Sequence, residues 1–92
     1  MVKINFCDIL FIENLSDYIK IHMKDKTIVT RETISNIEAI LPQKSFIRIH
    51  RSFIVKLNAI DYFTHETIEI GSKEIPISRS YKDKVLKRLD NN

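Results

Sequence analysis

Residues 46–56 hold the side chains best suited to bind an anion, in the order Phe-Ile-Arg-Ile-His-Arg-Ser-Phe-Ile-Val-Lys. In an extended run, Arg48 and His50 share one face, and Arg51-Ser52 then breaks the alternation. This pattern predicts two strands that meet at a corner. The planar fork of arginine matches phosphate oxygens or the O6 and N7 atoms of guanine, and histidine and serine add hydrogen bonds. The alternative is that both arginines are ordinary exposed side chains and that the histidine packs structurally.

Basic residues are concentrated in two stretches of the chain. Residues 1–43 carry five Lys/Arg against six Asp/Glu, whereas residues 39–60 contain no acidic residue. The first stretch, residues 39–60, contains Lys44, Arg48, Arg51 and Lys56. The second stretch, residues 79–88, contains Arg79, Lys82, Lys84, Lys87 and Arg88, and its only acidic residue is Asp83. Such segregation gives one face a positive potential that attracts polyanions. It also fits a solvated basic edge that discourages aggregation, and charge alone leaves both interpretations open.

The composition argues against several other kinds of site. Gly71 is the only glycine, so the chain lacks a glycine-rich phosphate loop. The three histidines His22, His50 and His65 lack the paired spacing of zinc ligands, and no Gly-x-Ser-x-Gly elbow marks a nucleophile. The single cysteine, Cys7, lies among apolar residues and is interpreted as a small buried side chain. We therefore predict no catalytic residue, no metal and no cofactor.

Length and composition indicate one globular domain over residues 1–92. With 43% hydrophobic and 29% charged residues, the chain has an ordinary globular composition. No stretch approaches the roughly 18 apolar residues that span a bilayer, and the Met-Val-Lys start lacks the apolar run of a signal peptide. A cytoplasmic location is expected.

The elements that must position these side chains are mostly strands. Alternation of apolar and polar residues predicts eight of them, at residues 8–14, 18–24, 27–31, 46–50, 53–57, 59–63, 67–70 and 73–77. A two-turn helix begins after Thr33 and ends before Pro42. A second helix is predicted at residues 80–89, where Ser80 and Asp83 have capping-box spacing.

Aromatic residues bear on the kind of nucleic acid. Proteins that bind single strands stack bases on exposed aromatic rings. Most of the phenylalanines here have apolar neighbours suited to a core, which leaves Tyr18 and Tyr81 as the plausible exposed platforms. Duplex DNA is therefore favoured over single-stranded RNA.

Five segments, taken in order and with their spacing, resemble the LytTR family of DNA-binding domains. They are Asp8-Ile-Leu-Phe-Ile-Glu13, Asp17-Tyr-Ile-Lys-Ile21, Leu41-Pro42, Phe46-Ile-Arg-Ile-His-Arg-Ser-Phe-Ile-Val55 and Ile75-Pro-Ile-Ser-Arg-Ser-Tyr81. The fourth segment is the longest and most specific match. The resemblance covers nearly the whole chain.

The resemblance implies a mainly β fold, an elongated β-β-β arrangement of short antiparallel sheets with one or two short helices. It implies double-stranded DNA binding by loops that enter successive major grooves of promoter direct repeats, with a second copy of the domain on the same DNA. The implied DNA-binding residues are Asp17, Tyr18, Lys20, His50, Arg51 and Arg79, with Lys44, Arg48 and Ser52 in support. Such domains are outputs of two-component response regulators, so a receiver domain is the expected partner in the full-length protein.

Two departures from the family pattern leave alternatives open. Lys56 stands where an asparagine is common, and it is either a phosphate contact or an exposed side chain. A receiver normally precedes this module, and an excised output domain is expected here over a stand-alone regulator. The rival function is a protein-interaction module that recruits another chain by strand addition at an exposed sheet edge.

Overall fold

The computed structural model describes residues 4–91, which form eight strands and two α-helices. In chain order these are β1 Ile9–Leu15, β2 Tyr18–Met23, β3 Thr27–Thr30, α1 Ile34–Ile40, β4 Phe46–His50, β5 Phe53–Lys56, β6 Tyr62–Phe63, β7 Thr67–Ile70, β8 Lys73–Pro76 and α2 Arg79–Asp90. Two short 3₁₀ helices, Phe6–Asp8 and Leu57–Ala59, precede β1 and follow β5.

The predicted strands are confirmed in number, and most of their bounds move by only one or two residues. The exception is the strand predicted at residues 59–63, of which only Tyr62–Phe63 pairs with a neighbour. The chain first winds into the 3₁₀ helix Leu57–Ala59, which the Ile60 N–H closes by donating to the Leu57 carbonyl at 3.3 Å. Asn58, a poor strand residue, lies in the middle of this helix.

Helix α1 forms as predicted, because the Thr33 hydroxyl accepts a hydrogen bond from the Asn36 N–H at 3.1 Å. The predicted capping box of α2 is wrong. The residue that caps α2 is Ser78, whose backbone is extended and whose side chain makes no capping bond. Ser80 lies inside the first turn, where its hydroxyl is 3.3 Å from that of Ser78, so Ser80 and Asp83 cannot form the reciprocal pair.

The eight strands form two antiparallel sheets. The larger has the order β3-β2-β1-β5-β4, with β1 in the centre, and the smaller has the order β6-β7-β8. The principal extents are 38 × 24 × 23 Å, in agreement with the elongated shape that the resemblance implied. Within residues 4–91, no helix is both long enough and apolar enough to cross a bilayer.

Both faces of the larger sheet are covered, so neighbouring residues on one strand enter different cores. Phe11 and Ile12, for example, belong to separate buried clusters, as do Ile54 and Val55. The first cluster packs α1 against one face and contains Ile9, Ile12, Ile19, Ile21, Met23, Ile34, Leu41, Phe46 and Ile54. The second packs the smaller sheet and α2 against the other and contains Phe11, Ile47, Ile49, Val55, Ile68, Ile70, Ile75, Ile77 and Val85. Each such side chain contributes about 1.5–3 kcal/mol on burial.

The prediction that Cys7 is buried is wrong. Cys7 is exposed, because it lies in the 3₁₀ helix before β1, where backbone rotation turns it away from the core that Phe6 contacts. The carbonyl of Cys7 accepts a hydrogen bond from the ammonium group of Lys56 at 2.5 Å. Lys56 thus ties the end of β5 to the segment that leads into β1.

Candidate nucleic-acid interface

Two of the predicted binding loops lie side by side at one end of the larger sheet. Strand β1 pairs with β5 in the antiparallel sense, with Glu13 opposite Phe53. The carboxyl end of β1 therefore lies beside the amino end of β5, and the Asn14 N–H donates to the Ser52 carbonyl at 2.8 Å. This bond joins the β1–β2 turn at residues 16–17 to the β4–β5 turn at residues 51–52.

The third predicted segment joins the same end of the sheet. The Ser78 N–H donates to the Ile49 carbonyl at 3.0 Å, next to His50 at the end of β4. Helix α2 packs on β4, and its first residue, Arg79, is exposed. We call the surface formed by residues 16–18, 50–52 and 78–79 the loop edge. It brings together all the predicted DNA-binding residues except Lys20, Lys44 and Arg48.

The β4–β5 turn holds His50 in a defined orientation. The Ser52 N–H donates to Nδ1 of His50 at 3.0 Å, and the His50 and Phe53 rings pack edge to face with centroids 5.4 Å apart. Because a backbone N–H can only donate, Nδ1 must accept, and in the neutral ring the proton lies on Nε2. Nε2 is then available as a donor to an outside acceptor, and the adjacent side chain of Arg51 is exposed.

Arg48 differs from its neighbours because its guanidinium group bonds within the protein. Nε donates to the His50 carbonyl at 2.8 Å, Nη2 to the Arg51 carbonyl at 2.6 Å, and Nη1 to the Glu38 carboxylate at 2.6 Å. The Arg48 side chain is 12% exposed.

The β1–β2 turn presents the predicted contacts Asp17 and Tyr18. Ser16, the first residue of this two-residue turn, has a φ of 71°, a left-handed conformation that residues other than glycine seldom adopt. Asp17 is exposed and Tyr18 is 44% exposed, whereas Lys20, further along β2, is half-buried.

Behind Tyr18, on the same face of β2, His22 forms a half-buried polar cluster. Its ring stacks on Phe11 with centroids 4.0 Å apart, and its Nε2 lies 3.1 Å from Oε1 of Glu13. Burial lowers the pKa of His22 below 6.5, Glu13 opposes the shift, and the charges of Lys73 and Lys20 add to the lowering. The neutral imidazole is therefore the form that the fold favours.

Replacement of His22 by glutamine is expected to make stability less sensitive to acid. Because the folded pKa is lowered, the unfolded chain takes up the proton first, so the stability present above about pH 6.5 is lost as the pH falls through the folded value. Glutamine does not titrate. Urea unfolding at about pH 7.5 and about pH 5 measures the effect, with the same change at exposed His65 as a control. An equal acid-induced loss in His22→Gln and the wild type would contradict this prediction.

Lys44 lies away from the loop edge. It precedes β4, whose far end carries His50, and β4 alone spans roughly 13 Å between these ends at about 3.3 Å per residue. Its carbonyl and that of Gln43 accept hydrogen bonds from Nη2 of Arg88, at 3.1 and 2.8 Å. The Lys44 side chain is exposed.

The sequence reasoning missed one basic residue near the loop edge. Strand β3 ends at Thr30, which pairs with Ile19 near the start of β2, so exposed Arg31 lies at the same end of the sheet as Arg51. Strands about 4.8 Å apart put β3 roughly 19 Å from β4 across the sheet. The tight turn predicted between β2 and β3 was enough to place Arg31, because in a hairpin the end of the second strand lies beside the start of the first.

Among residues 4–91 there is no group of three or more His, Cys, Asp or Glu side chains that could hold a metal ion. The chemistry of the loop edge is instead that of exposed arginines, one imidazole donor, hydroxyl groups and the carboxylate of Asp17. Arginines of this kind bind phosphates and base edges of duplex DNA.

Comparison with known proteins agrees with this chemistry. The family model described as the LytTr DNA-binding domain matches residues 1–90. A sensory transduction protein LytT from Bacillus cereus is 34% identical over 95 residues, and its counterpart from Bacillus subtilis is 30% identical; each alignment covers 97% of this chain. The chain spans only 38% and 39% of the lengths of these relatives.

The fold has a close match among solved structures. A LytTr DNA-binding domain of a Bacillus cereus response regulator superposes with a TM-score of 0.84 and 29% sequence identity, covering 96% of this chain and 86% of that one. Sequence and structure thus agree on both the fold and the family. The chain belongs to the LytTR family of DNA-binding domains and has the mainly β fold of that family.

Proposed function

We propose that this domain binds double-stranded DNA in a sequence-specific way and uses the loop edge to read successive major grooves of direct repeats. The observation that supports this most is the meeting of three chain-distant loops at one end of the sheet, through the Asn14–Ser52 and Ser78–Ile49 hydrogen bonds. Loops held by a rigid sheet keep their side chains in a fixed geometry, which recognition of base edges requires.

The proposed contacts fall into two kinds. Arg51 and Arg79 are exposed on the loop edge and read base edges, where a bidentate arginine distinguishes guanine from other bases. His50, Ser52, Asp17 and Tyr18 add hydrogen bonds, and Lys20 lies behind them. Phosphate contacts set affinity by releasing counterions, and we assign Lys44 and the newly placed Arg31 to this second kind.

The wider setting of the domain is part of the proposal. By its similarity to sensory transduction proteins more than twice its length and to a domain of a response regulator, we infer that the domain is the output of a cytoplasmic response regulator with a receiver domain. Two copies then occupy neighbouring repeats, and phosphorylation of the receiver promotes their pairing on DNA.

The test is a selection of duplexes from a random-sequence library, followed by titration of the enriched sequence. The selected duplex and a scramble of the same composition are titrated at several salt concentrations. We expect the selected duplex to bind at least about a thousandfold more tightly than the scramble, with affinity for both falling as salt rises. Equal binding of both duplexes would overturn sequence-specific recognition.

Strand addition at a sheet edge is the second candidate, and one observation favours it. Strand β3 is an edge strand, and its Val29 is 55% exposed. A module that recruits proteins this way would show no salt-dependent affinity for duplex DNA in the same titration.

Lys44→Ala is expected to weaken binding equally on the selected and scrambled duplexes. A lysine that touches only phosphate contributes charge without reading sequence, so its loss reduces the slope of log affinity against log salt by roughly 0.9. The same titration series measures both quantities. Lys26→Ala, which removes an equal charge from the exposed β2–β3 turn, is the matched control. An unchanged slope would remove Lys44 from the contact set.

A further inference from the structure

The turn between β4 and β5 has a backbone that does not favour a tight hairpin by itself. Two-residue hairpins prefer turns in which one or both central residues have positive φ, because such turns match the twist of the strands. Neither Arg51 nor Ser52 has a positive φ. The register of the two strands also shifts between Arg48 and His50. Contacts from outside the turn must therefore help to hold its shape.

Arg48 supplies those contacts. Its Nε and Nη2 donate to the carbonyl groups of His50 and Arg51 at 2.8 and 2.6 Å, so one planar group bonds two successive carbonyls of the turn. These bonds draw both carbonyls toward Arg48. The side chain of Arg51 is left exposed on the loop edge.

Two helices hold the guanidinium group in turn. Its Nη1 donates to Glu38 of α1 at 2.6 Å, and its Cζ lies 5.9 Å from the ring centroid of Tyr81 in α2. All three nitrogens of the group are engaged, and its charge is balanced by a carboxylate and an aromatic face. A group bound in this way has little capacity left for a phosphate.

From this geometry we infer that Arg48 is a positioning residue for DNA recognition, which sets the orientation of His50 and Arg51 and does not itself contact DNA. The inference rests on the proposed function, since it concerns the residues that read the sequence. It revises the sequence-based assignment of Arg48 to the binding set. It also predicts that lysine cannot replace arginine at this position, because lysine has a single ammonium group and cannot span two carbonyls and a carboxylate with one rigid fork.

The experiment compares Arg48→Lys, Arg48→Met and Lys26→Ala with the wild type on the selected and scrambled duplexes, at a temperature where circular dichroism shows each variant to be folded. A phosphate contact would survive the change to lysine, which keeps the positive charge. The paired hydrogen bonds of the guanidinium group to the His50 and Arg51 carbonyls would not survive it. We expect Arg48→Lys to reduce the preference for the selected duplex by about tenfold or more. Lys26→Ala keeps the wild-type preference.

Salt dependence separates positioning from contact in the methionine variant. On the scrambled duplex, we expect Arg48→Met to keep the wild-type salt slope, because no phosphate contact is lost. A slope lower by roughly 0.9 would identify Arg48 as a phosphate contact and overturn the inference. If Arg48→Lys prefers the selected duplex as strongly as the wild type does, the positioning role of Arg48 is overturned and the proposed function stands. If the wild-type protein itself shows no preference for the selected duplex, both the positioning role and the proposed function are overturned.

Hydrogen exchange of the free protein tests the same inference without DNA, and it applies to whichever variant folds. With Arg48 replaced by lysine, the amides of residues 50–53 are expected to exchange at least about tenfold faster, while those of β1 and β2 keep their protection. Unchanged exchange in residues 50–53 would overturn the positioning role. A rise spread evenly over the sheet would also overturn it, since that pattern belongs to general destabilisation.

Discussion

Arg51→Ala is expected to remove most of the preference of this domain for its selected duplex while leaving it folded. Arg51 is exposed at the tip of the β4–β5 turn, and its backbone carbonyl already bonds to Arg48, so the change deletes the side chain without disturbing the turn. A bidentate contact to guanine discriminates by about 1–3 kcal/mol, so affinity for the selected duplex should fall roughly five- to 150-fold.

Binding to the scrambled duplex shows whether Arg51 reads a base or contacts only phosphate. If Arg51 reads a base, binding to the scramble weakens much less than binding to the selected duplex, and Lys26→Ala measures how much of that small loss comes from the long-range effect of one positive charge. Equal losses on both duplexes would show that Arg51 touches only phosphate. In that case Arg79, the other exposed arginine of the loop edge, becomes the principal candidate for reading sequence.

Ile49→Ala is expected to have the largest effect on stability. Ile49 is fully buried in the cluster that joins the larger sheet, the smaller sheet and α2. Truncation of such a side chain costs about 2–5 kcal/mol, through lost burial and the cavity left behind. A domain of this size has about 5–14 kcal/mol of stability in total, so the variant should lose a large part of it. Urea unfolding followed by circular dichroism measures the change in the free energy of unfolding. The data for both proteins are fitted with one common dependence of that free energy on urea concentration.

Val29→Ala is the matched control for this core substitution. Val29 lies in edge strand β3 and is 55% exposed, so its truncation leaves no cavity and should cost less than about 1 kcal/mol. Similar losses in the two variants would mean that the second cluster is not the main stabilising core.

Much of the fold was predictable from local pattern alone. Tyr18, Lys20 and His22 alternate with Ile19 and Ile21, and the structure buries both isoleucines while the other three stay on the opposite face. Alternation works for β2 because one face of this strand is buried in the first cluster, whereas the side chains on its other face are exposed or half-buried. The start of α1 was also predictable, because Thr33 is a good N-terminal capping residue and caps this helix in the structure.

Three predictions were wrong at positions where the local sequence is compatible with more than one structure. Asn58 interrupts an apolar run and allows a 3₁₀ helix where a strand was predicted. Both Ser78 and Ser80 are good capping residues, and only tertiary contacts decide where α2 begins. Cys7 has apolar neighbours along the chain, yet the helical turn rotates it outward. In each case the deciding interaction joins residues that the local pattern does not connect.

The candidate site was predicted as a set of residues but not as a surface. The family resemblance named Asp17, Arg51 and Arg79, and their roles stay predictions until DNA binding is measured. Strand order decides that their loops meet, and it depends on the pairing of β1 with β5. The internal bonds of Arg48 were likewise unpredictable, because an arginine in a basic stretch suits both a DNA contact and a structural fork.

The Asn14–Ser52 bond and its neighbouring β1–β5 register have a consequence for folding. They join residues roughly forty positions apart, and this contact is costly in chain entropy until most of the larger sheet has formed. A chain in which β1 and β5 have not paired therefore lacks the loop edge, and we expect such a chain not to bind DNA through it. DNA should then raise the midpoint of thermal unfolding in proportion to the logarithm of its free concentration, because it binds only the native state. If the domain binds DNA as proposed, the bound DNA would protect this small domain from global unfolding and from the proteolysis that follows it.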